Sequence, residues 1–131
     1  GEYLIQTSGA FRYTTALSPA LAAGALKSLQ KIKNNKDWGF NLMIDSKKWK
    51  KEIMQNLSYQ VKGECQILSI IVGQEEKTIL LQKHLEKNGF LAIAIRPPTV
   101  PVNESRIRLT IRRDLNLEIL KNFTSVLKAF Q

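Results

Sequence analysis

The sequence predicts an α+β domain: a small, largely antiparallel sheet of three to four strands covered by helices. Three observations carry this. Two short apolar runs, Ile67 to Val72 and Phe90 to Ile95, have strand length and an aliphatic, partly β-branched composition. The segment Arg106 to Arg112 alternates arginine or threonine with aliphatic residues, which is the period of a strand covered on one face. Around these runs, apolar residues recur at three- and four-residue spacing, as on one face of a helix.

In chain order, residues 3–13 mix apolar and small residues around Ser8-Gly9, and predict a short helix running into an extended segment. Ser18-Pro19 is a helix start, because serine can cap and proline suits the first helical position. Leu21, Ala22, Ala25, Leu26, Leu29 and Ile32 then follow helical spacing. Lys31 and Lys33 sit where the dipole favours cations, and Asn34-Asn35 closes the helix. A second helix is expected from about Met43 to Leu57, with Trp49, Ile53 and Leu57 on one stripe. Tyr59 and Val61 suit a short strand, Lys62-Gly63 a turn, and Ile67 to Val72 a buried strand ended by Gly73. A third helix runs from about Glu75 to Asn88 and stops at Gly89. After the strand Phe90–Ile95, the stretch Arg96-Pro97-Pro98-Thr99-Val100-Pro101 is irregular, since its prolines lack N–H donors and fix φ. The strand Arg106–Arg112 places three arginines on one face, and an amphipathic helix over about Asn116 to Phe130 ends the chain.

At 131 residues the chain is expected to be a single domain. No apolar run approaches the ~20 residues of a membrane helix, and no basic-then-apolar leader opens the sequence. The expected setting is cytoplasmic, with no membrane contact. Cys65 is the single cysteine, so an intrachain disulfide is excluded. The net charge of +9 attracts polyanions, which include nucleic acid, anionic lipid and phosphate-bearing small molecules. The opening Gly1-Glu2-Tyr3 has no methionine and runs straight into an apolar pattern, as expected for a piece of a longer protein.

The proline-rich loop is the strongest local feature. Proline stiffening lowers the entropy cost of holding its side chains, and it is flanked by Arg96, Arg106 and Arg108. Thr99 offers a hydroxyl, and Arg108 a planar fork of donors suited to a carboxylate or phosphate. The plainer alternative is that Arg96 and Arg108 are solvated surface residues. Thr7, Ser8, Thr14 and Thr15 could surround a phosphate or serve only as turn and capping residues. His84, among charged neighbours, reads as solvated; Cys65 reads as a small core or turn residue. The lysines at 47, 48, 50 and 51 read as a solvated helix face, and Trp49 as an inward-packing residue. No catalytic triad, metal-ligand cluster, glycine-rich phosphate loop or carboxylate pair stands out, so no metal is expected. A nucleic-acid-binding module rests on charge alone.

Ala94-Ile95-Arg96-Pro97-Pro98-Thr99-Val100-Pro101 followed by Ser105-Arg106-Ile107-Arg108-Leu109-Thr110 resembles the C-terminal region of the 8-amino-7-oxononanoate synthases. These belong to the pyridoxal-phosphate-dependent α-oxoamine synthases of the aspartate-aminotransferase fold. Tyr3-Leu4-Ile5-Gln6, Tyr13-Thr14-Thr15-Ala16-Leu17-Ser18-Pro19-Ala20 and Ile70-Ile71-Val72-Gly73 also fit. The resemblance implies the C-terminal small domain of a fold-type I enzyme, with residues 1–35 joining it to a cofactor-binding large domain. It implies that the Schiff-base lysine lies upstream of Gly1, that this chain holds no catalytic residue, and that it is inactive alone. Position by position, Arg108 matches the arginine that binds the α-carboxylate of the amino-acid substrate. Arg96 matches a loop arginine that comes near the same carboxylate, and Thr99 a substrate-contacting threonine. Thr15 and Thr14 match hydroxyls that reach the phosphate of pyridoxal 5'-phosphate in the other subunit of a homodimer. Ser18 departs from the pattern, which usually has a second proline there.

The implied reaction is decarboxylative condensation of L-alanine with pimeloyl-CoA, or its carrier-protein thioester, in biotin biosynthesis. Sister families are 2-amino-3-ketobutyrate CoA ligase, 5-aminolevulinate synthase and serine palmitoyltransferase. The Arg-Pro-Pro start of the loop favours the biotin enzyme over the first two but does not separate it from the third. The basic surplus would help to attract an acidic thioester.

Overall fold

The structure, a computed structural model, describes residues 1–9 and 15–130. It divides into two compact units, Gly1–Lys36 and Asp37–Gln131. The first unit holds α1 (Glu2–Thr7) and α2 (Pro19–Asn34). Pro19 opens α2 as expected, but the Ser18 side chain makes no capping hydrogen bond. Asn35 closes it, its N–H donating to the Ile32 carbonyl at 3.0 Å and its side-chain amide to Lys31 at 2.8 Å. No residue of α1 or α2 is buried, and the apolar stripe Leu21, Leu26, Leu29 and Ile32 is exposed.

The second unit runs α3 (Asp37–Asn56), β1 (Gln60–Lys62), β2 (Ile67–Gly73), α4 (Glu75–Lys87), β3 (Ile93–Ile95), β4 (Ser105–Thr110) and α5 (Leu117–Lys128). The four strands form one antiparallel sheet in the order β1-β2-β4-β3. Strand alternation sorts the residues onto two faces. The row Val61, Ile70, Ile107, Ala94 and the pair Leu68, Leu109 turn towards the core. There they meet Trp49 and Ile53 of α3, Leu81 and Leu85 of α4, and Leu120, Phe123 and Leu127 of α5. The rows Gln60, Ile71, Arg106, Ile95 and Lys62, Ser69, Arg108, Ile93 occupy the other face. That face has partly buried and exposed residues only.

Several details correct the sequence expectations. The second long helix begins at Asp37, about one and a half turns earlier than Met43, and ends at Asn56. Ile67–Gly73 is covered on one face instead of two, leaving Ile67 exposed. The strand expected over Phe90–Ile95 is shortened to Ile93–Ile95. Its first residues are taken by the end of α4: Gly89, at φ +84°, donates to the Glu86 carbonyl and Phe90 to the Leu85 carbonyl. This left-handed closure tucks Phe90 edge-on against Phe123, with ring centroids 5.2 Å apart, and keeps residues 90–92 off β4. Strand β4 ends at Thr110, so two arginines, not three, lie on its outer face. The final helix is Leu117–Lys128, capped by the Asn116 side chain accepting from the Ile119 N–H at 2.9 Å.

His84 is not simply solvated. Its Nε2 donates to the Val126 carbonyl at 3.0 Å, and its ring packs on Phe130, so it ties α4 to α5. Lys50 also leaves the solvated face, reaching the Gly63 carbonyl at 3.0 Å and the Glu64 carboxylate. Trp49 packs inward on Phe123 as expected, and Cys65 is an exposed turn residue.

Candidate functional site

The hairpin of β3 and β4 carries Arg96, Thr99 and Arg108. Ile93 pairs with Arg108 and Ile95 with Arg106, so the strand register decides which side chains flank each arginine. The connecting loop is held by two turns: the Thr99 N–H donates to the Arg96 carbonyl at 3.0 Å, and the Glu104 N–H to the Pro101 carbonyl at 3.1 Å. The Pro97–Pro98 peptide is cis, and Thr99 is exposed.

The arginines of this region differ in their partners. Arg96 Nη1 meets Glu75 Oε1 at 2.7 Å. Arg106 donates through Nε to the Glu104 carbonyl at 2.9 Å and through Nη2 to the Glu104 carboxylate at 2.8 Å. Arg112 forms a two-point pair with Asp114 at 3.1 and 2.8 Å. Arg113 lies over the Trp38 ring, 3.9 Å from its centroid. Arg108 has no carboxylate partner and no side-chain hydrogen bond among the described residues. It stands between Ser69 and Ile93 on the uncovered face, where cross-strand neighbours approach to roughly 5 Å. It also lines a cavity of about 650 Å³ with Phe90, Leu91, Ile93, Thr110 and Phe123.

Arg108 is exposed beside this cavity, which Arg112 also lines, and its fork of donors is free for two-point capture of a carboxylate or phosphate. The shifted titrations lie on the β1 side of the sheet. Burial pushes the Tyr59 hydroxyl up, and the hydrogen bond from Lys50 followed by its charge holds Glu64 below the usual carboxylate range. No cluster of metal-ligating residues occurs among the described residues, and no helix there is long and apolar enough to cross a membrane.

Of the threonines singled out in the sequence, Thr15 belongs to the first unit and is exposed, while Thr14 lies outside the described residues. Sequence reasoning missed Glu104 and Glu75. Glu104 was legible, being two residues before Arg106. Glu75 was not, because 21 positions separate it from Arg96.

No protein-family profile matches the chain. A Bacillus cereus protein provisionally named 8-amino-7-oxononanoate synthase is 32% identical over 120 residues, which is 92% of this chain and 30% of that protein. The 8-amino-7-oxononanoate synthase of Chlorobaculum parvum is 26% identical over 131 residues, 99% of this chain and 33% of its own length. Among solved structures, serine palmitoyltransferase with PLP superposes at a TM-score of 0.85 with 15% identity, over 98% of this chain and 33% of that one. The Francisella tularensis 8-amino-7-oxononanoate synthase superposes at 0.77 with 22% identity, over 98% of this chain and 37% of that one.

The fold is therefore that of the C-terminal domain of fold-type I pyridoxal-phosphate enzymes. Within that class the sequence likeness is to the 8-amino-7-oxononanoate synthases, over 92–99% of this chain. The chain spans about a third of the length of the relatives it matches. For pyridoxal phosphate, the chemistry of one side-chain type fits: a threonine hydroxyl, such as that of Thr15 in the first unit, can donate to a phosphate oxygen. No lysine lines the cavity beside Arg108.

Proposed function

We propose that this chain is the substrate-carboxylate-recognising domain of an α-oxoamine synthase that condenses L-alanine with a pimeloyl thioester, forming 8-amino-7-oxononanoate. The observation that carries the reading is Arg108, which has no carboxylate partner among the described residues while Arg96, Arg106 and Arg112 each have one. Pyridoxal phosphate, when bound in the whole enzyme, supplies the electron sink for carbon–carbon bond formation. This chain's residues bind and orient. Arg108 takes the α-carboxylate of the amino acid in a two-point contact, and the sheet fixes its backbone on both sides through β2 and β3. Arg96 and Thr99 meet the substrate from the loop. Thr15, with Thr14, reaches the cofactor phosphate of the other subunit in a homodimer, and residues 1–35 join the domain to the cofactor-binding part of the enzyme. The exposed apolar stripe of α2 supports that last role, being a surface that asks for cover.

A second reading, serine palmitoyltransferase, is favoured by the superposition at 0.85 and opposed by the names and identities of the sequence relatives. Fold likeness does not choose a substrate. Thiol release by the full-length protein, supplied with pyridoxal phosphate, separates the two. Preference for L-alanine with a pimeloyl thioester is expected. Preference for serine with a long-chain acyl-CoA would move the protein to the sister activity, and tight, salt-sensitive oligonucleotide binding without any thiol release would overturn the enzyme reading.

A further inference from the structure

We propose that Glu75 is a positioning residue for the reaction: its carboxylate holds the Arg96 guanidinium at the base of the proline loop, in the orientation from which Arg96 meets the substrate carboxylate. This rests on the reading of Arg96 as a substrate-binding residue. Glu75 lies in the first turn of α4, two residues after β2 ends at Gly73, and Arg96 directly follows β3. Both strands flank β4, so the 2.7 Å contact spans the end of the sheet and ties the loop to the helix.

The contact has one point, Arg96 Nη1 to Glu75 Oε1. It leaves Nε and Nη2 of Arg96 with donors to spare, which is the edge a second carboxylate would use. Arg106 contrasts with this. Glu104 occupies both its Nε and its Nη2, leaving less of the fork for a ligand. The side chains of Arg96 and Glu75 are 53% and 39% exposed, so the pair adds little to folding. What it contributes is direction. A long side chain on a loop would otherwise sample many rotamers, and a fixed guanidinium meets its ligand without that loss. Proline at 97 and 98 limits the backbone, and Glu75 limits the side chain.

The test uses the full-length enzyme with its cofactor, and compares kcat/KM for the amino acid in Glu75→Ala, Glu75→Gln, Arg96→Ala and the double variant Glu75→Ala/Arg96→Ala. Expected is a fall of roughly ten- to a hundredfold in Glu75→Ala, the size of effect that a misplaced contact group produces. Glu75→Gln, which keeps an acceptor oxygen, recovers part of it. In the Arg96→Ala background the Glu75→Ala change adds nothing to the loss of kcat/KM, and the melting temperature of Glu75→Ala falls only by the small amount expected for a carboxylate lost from the first turn of a helix. An unchanged kcat/KM in Glu75→Ala, with Arg96→Ala impaired, overturns the proposal and leaves the role of Arg96 standing. An additive loss in the double variant overturns it as well. If Arg96→Ala is itself silent, both the proposal and the substrate role of Arg96 fall.

Discussion

The two faces of the sheet are built from alternate residues of the same four strands, yet they answer to different demands. On the covered face Ile70 and Ile107 are fully buried and meet three helices. On the other face the intervening positions carry Arg106, Arg108, Ser69 and Lys62, with isoleucines between them. Hydrophobic burial explains every residue of the first set. It explains no arginine of the second, where even Ile93 stays 47% exposed. What folding does not require on that face is where substrate recognition is to be sought.

The sharpest way to break this comparison is to mutate adjacent residues of β4. Ile107→Ala should lose roughly 2–5 kcal/mol through transfer and cavity terms, read as a lowered urea midpoint of the chain. Arg108→Met, one position on, should stay within about 0.5 kcal/mol of the parent. Equal losses at both positions would mean that the arginine face is structural too. Gly63→Ala should cost somewhat less than Ile107→Ala, on the order of 1–3 kcal/mol, because the residue sits at φ +121° and a Cβ there would lie 2.4 Å from the Ile67 carbonyl oxygen. Asn116→Ala should cost about 1 kcal/mol, the usual value of an N-cap, and lower the thermal midpoint correspondingly.

The smallest effect belongs to the exposed rim. Lys50 holds the Glu64 carboxyl below its ordinary value of 4.5. A depressed folded pKa contributes stability that is present above that ordinary value and is lost as the pH falls through the folded one. Lys50→Met should therefore flatten the decline of the urea midpoint on the acid side and leave its shape near neutrality unchanged. An unaltered acid slope would show that this ion pair has no linkage to folding.

Much of this architecture was legible in the sequence, for identifiable reasons. Strands β2 and β4 announced themselves by composition and period, and α5 by its apolar spacing, because burial dictates those residues directly. The shortened β3 was hidden, since nothing in Phe90-Leu91-Ala92 says that the end of α4 will claim Phe90 for the core. His84 was misread for a related reason: its partner, the Val126 carbonyl, lies 42 residues away. At the site, Arg96, Thr99 and Arg108 could be picked out by type and position. That Arg108 has no carboxylate partner among the described residues while Arg96 has one could not, because Glu75 comes to Arg96 only through the fold.

The central claim is that Arg108 binds the α-carboxylate of the amino-acid substrate. The most direct measurement is the affinity of the full-length, cofactor-loaded enzyme for L-alanine, followed through the cofactor absorbance, in the parent and in Arg108→Met. Losing a two-point, charge-assisted contact should weaken binding roughly ten- to a hundredfold, with cofactor content and melting temperature unchanged. Unaltered L-alanine affinity in the folded, cofactor-loaded variant would contradict the account.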